Sequence, residues 1–80
     1  NYPNPFNPNT VISYSVAKEG NVSLKIFNAA GQLVNELVNA QHQAGVYNVE
    51  FNAASLSSGV YFYRLESNGF TSTNKMILVK

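Results

Sequence analysis

The sequence predicts an all-β fold, a small sandwich of about six to seven short antiparallel strands. Three observations carry that reading. Apolar and polar residues alternate with period two along most of the chain, the mark of half-buried strands. Clusters of Asn, Gly and Ser separate these runs at regular intervals, as turns do. One Asn-Gly pair, Asn68-Gly69, stands between two such runs, the strongest short-range hairpin signal.

Taken in order, the chain starts with a strip, residues 1–9, that contains Pro3, Pro5 and Pro8. Proline fixes φ and removes an amide donor, and it pushes the preceding residues Tyr2, Asn4 and Asn7 into extended conformations. The strip is expected to lie along the rim of the domain with Tyr2 or Phe6 over the core. It also marks the boundary with whatever precedes it, semi-rigid as Pro-rich linkers are. Residues 10–80 form the domain proper. Ile12, Tyr14 and Val16 alternate with Val11, Ser13 and Ser15, a first strand. "AKEGN" turns the chain, and Val22, Leu24 and Ile26 alternate with Ser23, Lys25 and Phe27 in a second. "NAAG" closes a tight turn with Gly31 placed for positive φ.

The segment "QLVNELVNAQHQ" is ambiguous. Leu33, Val34, Leu37 and Val38 have helical spacing, compatible with an amphipathic helix. Read as a strand, it sets Val34 and Val38 beside Glu36 on one face and Leu33 and Leu37 beside Asn35 on the other. Strand is preferred, because strands flank it. Gly45 restarts alternation, with Tyr47, Val49 and Phe51 against Val46, Asn48 and Glu50. After the loop "NAASLSS", the run "GVYFYRLES" and a last strand from about Phe70 to Val79 complete the pattern, with Met76 and Leu78 in one set and Ile77 and Val79 in the other. The spacing of Leu56, Gly59 and Tyr61 fits a tyrosine corner, in which the hydroxyl turns back to backbone a few residues upstream in an immunoglobulin-like sandwich. Tyr61, Tyr63 and Leu65 then point inward, and Val60, Phe62 and Arg64 outward.

Composition narrows the function classes. Eighty residues make one domain, small enough that its stability margin is thin. There is no cysteine, hence no disulfide. Five scattered basic residues and a net charge of +1 do not make the basic patch of a nucleic-acid binder. No apolar run approaches the roughly 20 residues of a membrane-spanning helix. The N-terminus lacks the basic and apolar regions of a signal peptide, so an export signal would belong to a longer parent chain.

Chemistry-bearing residues are few. His42 is the one histidine, in an expected polar loop with no cysteine or aspartate in the chain to join it in a metal site. Neither a metal nor another cofactor is expected. Glu50 and Glu66 fall on strands and could be cross-strand neighbours, but a small sandwich offers little room for the cleft that a glycosidase carboxylate pair flanks. A serine nucleophile would have to recruit His42 and a distant glutamate. The chain is therefore read as a non-enzyme. The rival reading is a carbohydrate-binding or cell-surface attachment module on a secreted hydrolase; it lacks tryptophan, and core burial accounts for Tyr14, Tyr47, Tyr61 and Tyr63 more simply. "NVS" at Asn21 fits the N-glycosylation pattern, with nothing else to indicate that route.

Five stretches in order, "NYPNPFNPNTVISYSV", "VSLKIFNAAGQLVNELV", "AGVYNVEF", "LSSGVYFYRL" and "KMILVK", together resemble the type A C-terminal sorting domain of the type IX secretion (Por) system. Phe51 stands where that family often has tryptophan, and the loop from Asn52 to Ser58 is short. The resemblance implies a strand for "QLVNELV" and an immunoglobulin-like sandwich. It implies an address label that folds in the periplasm and is recognised by the outer-membrane translocon. It also implies an N-terminal cargo, a sortase-like peptidase that removes the label, attachment of the cargo to anionic lipopolysaccharide, and a secreted or cell-surface destination. The terminal strand is expected at a sheet edge, where a partner's strand can pair with it. Lys75, Met76, Leu78 and Lys80 are the candidate recognition residues. Pro3, Pro5, Phe6, Pro8, Gly31, Gly45, Gly59 and Tyr61 are the structural positions of the motif. Val60 and Phe62 on an outer face, with a free edge, suggest a weak homodimer.

Overall fold

A computed structural model of the chain describes residues 8–79. The expectations for Tyr2, Pro3, Pro5, Phe6 and Lys80 fall outside the described residues. Six strands follow one another: β1 (Asn9–Val16), β2 (Gly20–Asn28), β3 (Leu33–His42), β4 (Gly45–Asn52), β5 (Gly59–Ser67) and β6 (Phe70–Leu78). All pairing is antiparallel, in a two-stranded sheet β1-β4 and a four-stranded sheet ordered β3-β2-β5-β6. The chain crosses between sheets after β1, β3 and β4, and stays within one sheet at the hairpins β2–β3 and β5–β6. This is the immunoglobulin-like sandwich architecture that the alternation and the tyrosine corner predict.

Period-two patterning decides which face of each strand is buried. Ile12, Tyr14 and Val16 of β1 meet Val22, Leu24 and Ile26 of β2, Phe51 of β4, Tyr61, Tyr63 and Leu65 of β5, and Met76 and Leu78 of β6 in one core. Burying a large apolar side chain contributes about 1.5–3 kcal/mol. The cross-over segment after β4 adds to the core through Ala53, whose amide donates to the Pro8 carbonyl at 3.0 Å.

β3 departs from simple alternation, and the departure explains its helix-like spacing. Against β2 its register shifts twice, between Leu24 and Lys25 and between Ile26 and Phe27. Val38 lies opposite Leu24 and Glu36 opposite Lys25, so Leu37 is passed over; Asn35 lies opposite Ile26 and Leu33 opposite Phe27, so Val34 is passed over. A bulge sets two residues of one strand against one of its neighbour. Leu37 and Val38 thus both pack against the core, where uninterrupted alternation would send them to opposite faces.

Two turns follow their side chains. Asn28 Oδ1 accepts from the amides of Ala30 at 3.0 Å and Gln32 at 2.9 Å, and Gly31 has φ 86°. Asn68 and Gly69 have φ 51° and 79°, both positive, as a type I′ hairpin turn demands. Asn68 Nδ2 also donates to the Lys18 carbonyl at 2.8 Å. This ties the β5–β6 turn to the β1–β2 turn across the end of the sandwich. Gly20 makes room for it, since a Cβ there would lie 2.1 Å from Asn68 Oδ1.

Candidate interaction face

Among the described residues, the outer surface of the four-stranded sheet carries a clear pattern. Directly opposed residues of antiparallel strands share a face, so the register lays the outward side chains in rows. One row runs Leu33–Phe27–Phe62–Lys75, and Val60 and Ile77 lie beside it toward the end of the sheet. The next row is Glu36–Lys25–Arg64–Thr73, and after it Asn39–Ser23–Glu66–Thr71. The face is therefore apolar at one end, charged across its middle and polar at the other end. Leu33 is 54% exposed, and Val60 and Ile77 are 37% and 36% exposed. Phe27 and Phe62 are half-buried.

The charged row is built on the aromatic one. The Arg64 guanidinium lies 4.6 Å from the centre of the Phe27 ring, within cation–π range. Its Nε stands 3.6 Å from Glu66 Oε1, an ion pair rather than a hydrogen bond. Lys25 has Glu36 as its cross-strand partner. Lys75 is exposed and ends the apolar row opposite Phe62.

The expected recognition residues divide by face. Lys75 points outward, whereas Met76 and Leu78 are fully buried in the core. β6 is an outer strand of its sheet. Among the structural positions, Gly31 holds the β2–β3 turn, and Gly45 and Gly59 open β4 and β5 at φ 159° and 151°. The Tyr61 hydroxyl donates to the Ser57 carbonyl at 2.6 Å, which makes the tyrosine corner.

Two sequence expectations are corrected. His42 is not in a loop: it ends β3 and is half-buried. Its ring lies 4.4 Å from that of Tyr47 and 6.0 Å from that of Tyr14, and Tyr14 Oη and His42 Nε2 are hydrogen-bonded at 2.9 Å. Glu50 and Glu66 are not cross-strand neighbours: Glu50 is on β4 in one sheet and Glu66 on β5 in the other. One feature escaped sequence reading altogether. The Tyr47 hydroxyl donates to the Gln43 carbonyl at 2.5 Å, a second corner with the same four-residue reach, and the repeated Gly-Val-Tyr at 45–47 and 59–61 is the signal that could have found it.

Burial pushes the Tyr14 phenol above its ordinary range, reinforced by the neighbouring Tyr47, and burial alone does the same to Tyr63. Both remain protonated at neutral pH. No group of three or more His, Asp or Glu side chains among the described residues could hold a metal ion. A cleft of about 770 Å³ between the β1–β2 and β5–β6 turns is lined by Ser15, Ala17, Lys18, Ser67, Asn68 and Phe70, and it brings no carboxylate or imidazole to bear.

The described residues form a small immunoglobulin-like sandwich with its outward rows on the four-stranded sheet. The chain belongs to the family described as the secretion system C-terminal sorting domain, which it matches over residues 1–80, and so is a sorting domain of the type IX secretion system. No curated protein and no solved structure matches the chain. Membership implies export to the cell surface or medium. No helix among the described residues is long and apolar enough to cross a membrane.

Proposed function

We propose that this domain is a non-enzymatic address label: it is recognised at the outer-membrane translocon and carries an N-terminal cargo to the cell surface or medium. The observation that supports it most is the family match over residues 1–80. Among the described recognition residues, Lys75 is the one that meets a partner directly. Met76 and Leu78 act from the core by fixing the position of β6. A sortase-like peptidase then removes the label and the cargo is joined to anionic lipopolysaccharide.

The test is secretion of a reporter fused in front of this chain, with and without the domain. The expected result is that removal leaves the reporter in the periplasm; unchanged secretion would overturn the proposal. Trimming residues 75–80 alone is a poorer test, because it also takes Met76 and Leu78 out of the core. The rival reading, a carbohydrate-binding module, draws on Phe70, 62% exposed beside the cleft that holds Asn68 and Lys18. Depletion of the purified chain by insoluble polysaccharide would favour it.

A further inference from the structure

We propose that the apolar band Leu33–Phe27–Phe62 with Val60 is a docking surface for an apolar segment of a partner protein that carries carboxylates on one flank. This rests on the sorting reading and names the chemistry of its partner. Single exposed apolar residues are ordinary, but a contiguous patch on a sheet face marks an interaction site. Here four large apolar side chains from three adjacent strands sit side by side, and the two at the margins are well exposed, Leu33 at 54% and Val60 at 37%.

Charge selects the occupant. Lys25 and Arg64 adjoin the band along one side, and Lys75 ends it on β6. Glu36 lies opposite Lys25 in that border, and Glu66, from the next row, pairs with Arg64. Lys25, Arg64 and Lys75 against Glu36 and Glu66 leave the surroundings of the band at +1, with no ion pair to Lys75 among the described residues, and a partner with carboxylates beside Lys75 gains both desolvated apolar contact and charge pairing. A second copy of the chain fits less well. Stacked face to face about a two-fold axis parallel to the strands, each row meets itself, and Lys25 of one copy meets Arg64 of the other. A lipid surface is also disfavoured: the band carries neither tryptophan nor tyrosine, the residues that settle at membrane interfaces.

The experiment uses a reporter fused to the full 80-residue chain in secreting cells. Leu33→Asp and Val60→Asp put a carboxylate into the band, Lys75→Glu reverses its border, and Asn21→Asp on the polar end serves as control. Each purified variant is also melted, and Leu33, on the outer strand β3, is the position least able to disturb folding. The expected result is a fall in the secreted fraction of about tenfold or more for the three face variants, the loss of one well-placed contact, with melting and the control unchanged. Normal secretion of folded Leu33→Asp and Lys75→Glu overturns the inference. If the domain-deleted reporter is also secreted normally, the sorting reading fails with it; if deletion blocks secretion, only the docking face fails. A photo-crosslinker at Phe62, with the joined peptide sequenced, reads the partner directly. A peptide with Asp or Glu beside apolar residues supports the assignment. Attachment to a second copy or to the cargo, or co-sedimentation of the chain with anionic phosphatidylglycerol vesicles, contradicts it.

Discussion

The two tyrosine corners are built from the same letters and sit in different worlds. Gly45-Val46-Tyr47 opens β4 and Gly59-Val60-Tyr61 opens β5. In each, the phenol reaches back four residues to a backbone carbonyl, Gln43 in one and Ser57 in the other. Tyr61 is 7% exposed, in the core between the sheets, and Leu56, five residues before it, packs against that core. Tyr47 is half-buried, and five residues before it stands His42, whose ring packs against its own. The same local device thus locks a core strand at one site and, at the other, braces a half-buried His42–Tyr47 pair against the core residue Tyr14. Local sequence sets the hydrogen bond; the neighbours set what it is worth.

That comparison can be broken first at the rings. Tyr61→Ala opens a cavity among buried side chains and is expected to cost about 3–4 kcal/mol, within the range for large-to-small aromatic changes. Tyr47→Ala, at a half-exposed site, should cost about half as much. Urea denaturation midpoints check both, and equal losses would mean that the two contexts are equivalent. Hydroxyl deletion sharpens the contrast. Tyr61→Phe and Tyr47→Phe each remove one hydrogen bond of ordinary net value, about 1 kcal/mol, with the smaller loss at Tyr47, where water replaces the phenol more easily. Both the Ala and the Phe effects should therefore be larger at position 61.

The smallest effect concerns ionisation. The Tyr14 and Tyr63 phenols have raised pKa values in the folded state. Their contribution to stability is fully present below the unfolded tyrosine pKa of about 10 and is lost as pH rises through the folded values, because only the unfolded chain ionises easily there. Stability measured by denaturant titration should hold level below that range and decline above it. Tyr14→Phe and Tyr63→Phe should each flatten the decline, and an unaltered slope in both variants would rule out these phenols as its source.

Much of the fold was legible because period-two alternation is both a sequence signal and the rule for which side chains enter the core. Ile12, Tyr14 and Val16, and Tyr61, Tyr63 and Leu65, show it directly. Asn68-Gly69 and Gly31 were legible for a different reason: positive φ restricts the residue choice. The bulges in β3 were hidden, since passing over Val34 and Leu37 yields a spacing that a helix shares. His42 was misjudged because its hydrogen-bond partner Tyr14 lies far away in sequence, on β1, and its polar neighbours Gln41 and Gln43 read as a loop. The separation of Glu50 from Glu66 depended on which strands share a sheet, which alternation does not encode. The rows of the outer face needed the register as well. Only then do Phe27, Phe62 and Leu33 become neighbours and Lys75 their border.

The central claim is that this sandwich is itself a sufficient address. Grafting the 80-residue chain onto the C-terminus of a folded periplasmic reporter, in cells with a working type IX system, tests it most directly. The account predicts that the reporter leaves the periplasm and is recovered at the cell surface or in the medium. A grafted reporter that folds, carries the intact domain and stays in the periplasm would contradict it.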